Sequence, residues 1–92
     1  MRDKHKRDRL EIIYDILRII KENDNMILPT PLLRFSNLST QNFNRYITKL
    51  LEKKLIEEKY DRGRKYYSLS ERGFEFLKKY RSIREFIEEF GL

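Results

Sequence analysis

Gln41, Asn42, Arg45, Thr48 and Lys49 fall close together in the chain. Side-chain amides, a guanidinium and a hydroxyl are the groups that make donor and acceptor pairs with base edges. Arg45 suits guanine, Gln41 or Asn42 suits adenine, and Lys49 suits a base or a phosphate. Just ahead of them Ser39 and Thr40 offer hydroxyls, and Arg62, Arg64 and Lys65 form a compact basic cluster. Both are groups that take backbone phosphates, the cluster by charge and the hydroxyls by hydrogen bonding at a helix start. The competing reading of each charged set is a solvated face, and capping alone also accounts for Ser39.

Catalytic chemistry has little to work with. The single histidine, His5, sits in the basic opening stretch, and cysteine is absent. There is no spaced carboxylate pair and no phosphate-cradling glycine loop. An enzyme is therefore not expected, nor are a metal, a cofactor or a small-molecule ligand.

The elements that position these groups belong to one small domain, since 92 residues cannot support two independent cores. Hydrophobic and charged residues each make up 39% of the chain, and with three glycines and two prolines this composition favours a helix-rich globule. Lys and Arg number 21 against 15 Asp and Glu, for a net charge of +6, which points to a polyanionic partner. The segment from Glu71 onward is balanced, Arg72, Lys78, Lys79, Arg81 and Arg84 against Glu71, Glu75, Glu85, Glu88 and Glu89, so the excess lies in residues 1–70. Asp15, Arg18 and Lys21 interrupt the longest apolar stretch, so no membrane span is expected. The basic start lacks the apolar core of a secretory signal, and a cytoplasmic, nucleoid-associated protein is expected.

Leu10, Ile13, Tyr14, Leu17 and Ile20 recur at helical spacing, which predicts a first helix over residues 7–21. Ile12, Ile16 and Ile19 form a second stripe on it, left over for a further partner. Asn23, Asp24 and Asn25 end that helix, and Ile27 and Leu28 fit a short extended segment. Thr30 before Pro31 predicts a short second helix over 31–35. After a turn at Ser36, Asn37 and Leu38, a third helix capped by Ser39 runs to about Lys53, with Phe43, Ile47, Leu50 and Leu51 on one face. At 100° per residue, Gln41, Arg45, Lys49 and Glu52 then face the other way, flanked by Asn42 and Thr48.

Residues 55–60 and 65–69 have strand composition around Asp61, Arg62, Gly63 and Arg64, which predicts a β-hairpin with a basic tip. Tyr66 and Tyr67 point to opposite faces of it, so at least one belongs to the core. Ser70 caps a final helix with Gly91 as its stop. Phe74 and Leu77 are placed to reach the core, whereas Phe76, Tyr80, Ile83, Ile87 and Phe90 are spaced four, three, four, three, a heptad seam for a homodimer. An amphipathic helix folded back on the first helix is the alternative use of that stripe.

This order is mainly α with a small β-hairpin: three helices, a two-stranded wing and a long C-terminal helix. LLEKKLIEEKYDRGRKYYSLSERGFEFL, from Leu50 to Leu77, resembles the end of the recognition helix, the wing and the opening of the last helix in winged helix-turn-helix DNA-binding domains. With LEIIYDILRII and RFSNLSTQNFNRYITKL, it resembles the small archaeal winged-helix proteins that dimerise through a C-terminal antiparallel coiled coil. The resemblance implies a dimeric binder of double-stranded DNA, a transcriptional regulator or chromatin protein, with the third helix in the major groove and the wing on the backbone or minor groove. It divides the chain into a basic arm over 1–9, a DNA-binding domain over 10–70 and a dimerisation helix over 71–92. Many such proteins have glycine where this chain has Lys54. The rival function is a winged helix that binds only proteins. The arm from Arg2 to Arg9 either follows a groove or serves as a solubilising tail.

Overall fold

The structure is a computed structural model, described here for residues 7–92. His5 and most of the basic arm lie outside the described residues. The chain runs α1 (Arg9–Glu22), α2 (Pro29–Ser36), α3 (Thr40–Glu52), β1 (Ile56–Asp61), β2 (Arg64–Leu69) and α4 (Glu71–Glu89), which is the expected order.

Helix α1 starts two residues later than periodicity alone suggests, because Asp8 caps it. The Asp8 carboxylate accepts from the Glu11 amide at 2.8 Å while the Asp8 amide donates to the Glu11 carboxylate at 2.9 Å, a reciprocal box that satisfies two orphan donors. Helix α2 starts earlier than expected, at Pro29. Leu28 is its extended N-cap and makes no side-chain cap, so Thr30 is not the cap. The fixed φ of Pro29 suits the first helical position and its ring keeps Leu28 extended.

Before it, Ile27 pairs with Tyr67 through bonds of 3.1 and 2.8 Å, a one-residue third strand beside the hairpin. The hairpin register runs from Ile56 opposite Leu69 to Asp61 opposite Arg64. Its turn is therefore only Arg62 and Gly63, both at positive φ (53° and 79°), the two-residue geometry that matches strand twist. Leu55 falls outside the strand because its amide closes the end of α3 on the Leu50 carbonyl at 2.9 Å. Lys54, at φ 62°, completes that closure with a 3.1 Å bond to the Leu51 carbonyl, the double bond of a Schellman end made without glycine.

The core joins Ile13, Ile16, Leu17, Ile19 and Ile20 of α1 to Leu32, Phe43, Ile47, Leu50, Ile56, Tyr67, Leu69 and Leu77. Ile16 and Ile19 are thus interior, and the second stripe of α1 is not left over for a further partner. α2, α4 and β2 all contact α1, so more than one of its faces is covered. On α4, Leu77 is buried but Phe74 is exposed. The inward position next to it belongs to Gly73, where a Cβ would fall on the Leu55 carbonyl oxygen. Phe74, one residue on, is rotated about 100° out of that contact. From residue 81 onward α4 is exposed on every side.

Candidate nucleic-acid interface

Helix α3 is split by its own period. Phe43, Ile47 and Leu50 are buried, and Gln41, Asn42, Arg45, Thr48 and Lys49 are all exposed. The structure therefore brings the five base-suited residues to one solvent-facing surface, anchored from behind by the core. Asn42 and Arg45 are linked, the guanidinium Nη1 donating to the Asn42 Oδ1 at 3.2 Å, which leaves most of the Arg45 donor fork free. Ser39 and Thr40 are exposed at the start of the helix. The Ser39 hydroxyl accepts from the Asn42 amide at 3.1 Å, so its capping role is realised.

Asn37, in the left-handed conformation at φ 59° and ψ 37°, ends α2 and turns the chain into α3. Asparagine tolerates that region better than most residues. The turn is tied down from the front of the chain: Arg7 donates to the Ser36 carbonyl at 3.0 Å and pairs with Asp15 at 2.8 Å. Arg7 is thereby fixed to the helix-turn-helix, although by sequence it belongs to the arm.

In the wing, Arg62 and Arg64 are exposed, and among the described residues neither has a carboxylate partner. Lys65 differs. Its ammonium lies 5.4 Å from the centre of the Tyr67 ring and 3.5 Å from Glu58. Tyr67 first, then Glu58, raise its pKa above the ordinary lysine value. Lys65 is therefore shared with the sheet, while the two arginines project free charge. Tyr67 is core and Tyr66 half-buried on the opposite face; Tyr60, near the tip, is exposed.

Two residues join this surface, Tyr46, which the sequence reading did not single out, and Arg9, which it placed only in the basic arm. Arg9, the first residue of α1, and Tyr46, half-buried beside Arg45, line an open cleft of about 190 Å³ with Arg45 and Lys49. No sequence signal places Arg9 at one cleft with residues of α3, because the cleft joins segments far apart in the chain. Among the described residues no group of three or more His, Cys, Asp or Glu could hold a metal, and no helix is long and apolar enough to cross a membrane.

The seam residues divide. Phe76 rests against the core, and Tyr80 stacks on Tyr14 with ring centroids 4.8 Å apart. Both are spent within the chain. Ile83, Ile87 and Phe90 stay exposed, and Phe86, not part of the heptad reading, is 60% exposed and sits edge-on to Phe90 at 4.9 Å.

Comparison with known proteins agrees with this architecture. An uncharacterized protein of Methanocaldococcus jannaschii is 32% identical over 80 residues, covering 80% of each chain. Among solved structures, the chain is similar to F93 from STIV, a winged-helix DNA-binding protein, with a TM-score of 0.74 and 19% identity over 87% of this chain and 92% of that one. It is also similar to Sso10a-2, a DNA-binding protein from Sulfolobus solfataricus, with a TM-score of 0.69 and 22% identity over 92% of this chain and 90% of that one. At those identities the likeness is one of fold. The winged helix-turn-helix family matches residues 6–88, nearly the whole chain, and the protein belongs to that family.

Proposed function

We propose that the protein binds double-stranded DNA as a sequence-preferring transcriptional regulator or chromatin protein, and that it works as a homodimer in the cytoplasm, on the nucleoid. The observation that carries this reading is the exposed polar face of α3, backed by buried Phe43, Ile47 and Leu50 and flanked by the free charge of Arg62 and Arg64. A helix of this kind enters the major groove, where Gln41, Asn42, Arg45, Thr48 and Lys49 meet base edges. Ser39, Thr40, Arg62, Arg64 and Lys65 meet the backbone, with the wing tip on backbone or minor groove. The descriptions of F93 and Sso10a-2 as DNA-binding proteins support the same reading.

In this reading residues 10–70 read DNA and residues 71–92 join two copies. The seam runs through Ile83, Ile87 and Phe90, with Phe86 added. These residues recur at three- and four-residue spacing on the free end of α4, the pattern of a helix that pairs with another.

The test is anisotropy of a labelled mixed-sequence duplex at about 50 and about 200 mM salt. Six to ten phosphate contacts lower affinity by roughly 10³- to 10⁵-fold over that range. No binding at the lower salt overturns the proposal in favour of a protein-binding module.

A further inference from the structure

The cleft between the start of α1 and the outer face of α3 gathers three cations and a phenol: Arg9, Arg45, Lys49 and Tyr46. Arg45 and Lys49 stand one turn apart on the same helix face, an arrangement of like charges that weakens a helix. Arg9 adds a third positive charge from another element. Some cations elsewhere are neutralised, as Arg7 is paired with Asp15 and Arg18 with Glu22, while Arg62 and Arg64 at the wing tip are not. Here, among the described residues, none of the three cations has a carboxylate partner. The cluster is therefore uncompensated charge around a concavity, with a phenol hydroxyl as a neutral donor.

The walls are held in place. Arg9 lies within the Asp8–Glu11 capping box, and Arg7, two residues before it, is fastened to Asp15 and to the Ser36 carbonyl. Tyr46 packs on the core. At about 190 Å³ the cleft falls below the roughly 300–1,000 Å³ of small-molecule sites, yet it has room for one tetrahedral anion and its water.

We infer that this cleft binds a phosphate group, held by Arg9 and Lys49 with the Tyr46 hydroxyl, and with Arg45 at its rim. The inference rests on the DNA-binding reading for the source of that group, a backbone phosphodiester bordering the groove that α3 enters. It moves Lys49 from base edge to backbone and adds Arg9 and Tyr46 to the interface. A free phosphoryl anion is the other source of the same chemistry.

The test compares the full chain with Arg9→Gln, Tyr46→Phe and, as a control cation on α4, Arg72→Gln. Duplex binding is measured across salt, and the Arg9, Tyr46 and Lys49 backbone amides are followed by NMR during titration with inorganic phosphate. Loss of one phosphate contact removes about 0.9 from the slope of log affinity against log salt. Arg9→Gln should show that loss, with affinity reduced roughly 3- to 10-fold on every duplex sequence alike, Tyr46→Phe a smaller loss and Arg72→Gln none. Phosphate-induced shifts at the three amides that vanish in Arg9→Gln, with no effect of that variant on duplex binding, would keep the cleft as a phosphate site and assign it to a free anion, even if the parent chain binds no DNA. Parent-like slope and affinity in both Arg9→Gln and Tyr46→Phe, together with amides unmoved by phosphate, would overturn the inference. Steep, tight duplex binding by the parent in that same experiment would leave the DNA-binding reading standing.

Discussion

Tyr14 on α1 and Tyr80 on α4 stack with their ring centroids 4.8 Å apart and their planes 27° from parallel. The Arg84 guanidinium lies 5.9 Å from the centre of the Tyr80 ring, so Tyr80 is engaged by its own chain. This contact anchors the middle of α4 to the domain and separates a docked half from the exposed half beyond residue 81. A double-mutant cycle of Tyr14→Ala and Tyr80→Ala should give a coupling of about 0.5–1.5 kcal/mol in chemical unfolding. Strictly additive losses would mean that the rings do not stabilise each other.

The exposed half should behave differently. Ile87→Asp places a charge in the middle of the free apolar stripe without touching the core. Sedimentation should show the parent as a dimer and Ile87→Asp as a monomer with its helical content intact. A parent that stays monomeric at all concentrations refutes the dimer.

Lys54 holds a left-handed conformation at φ 62°, and its carbonyl accepts from the Ser70 hydroxyl at 2.6 Å. The cap of α4 therefore depends on the way α3 ends. A lysine at this φ carries a steric cost that glycine avoids. Lys54→Gly should stabilise the fold by about 1 kcal/mol, which raises Tm by about 4–8 °C in a domain of this size. An unchanged or lower Tm would show that the lysine is not strained there.

Charge reversal separates reading from holding. Arg45→Glu should cost about 1–3 kcal/mol on the preferred site and flatten discrimination between sequences, whereas Arg64→Glu should weaken all duplexes alike and reduce the salt slope. Competition assays with a set of unrelated duplexes resolve the two patterns. Equal and small effects would remove the roles given to both residues.

Much of this arrangement is written locally. The 3.6-residue period placed Gln41, Arg45 and Lys49 opposite Phe43, Ile47 and Leu50, and the structure exposes the first set and buries the second. Ser39 and Ser70 cap their helices, and Gly63 turns the hairpin at positive φ. The starts of α1 and α2 were less legible. Asp8 competes with the apolar period for the first, and for the second Pro29 competes with the more familiar Thr30–Pro31 signal.

Capping, turn chemistry and amphipathic period depend on neighbours a few residues away, so the sequence by itself determined the order of the elements, the polar face of α3 and the uneven distribution of charge. Only the tertiary structure decided what covers each apolar face. A stripe such as Ile12, Ile16 and Ile19, or Phe76 and Tyr80, reports that a surface avoids water but not which element shields it. Tyr80 found Tyr14 because α1 packs against α4, and Arg9 came to line one cleft with Lys49 in the same way. Both arrangements join segments distant along the chain, and their geometry exists only once the whole core has closed.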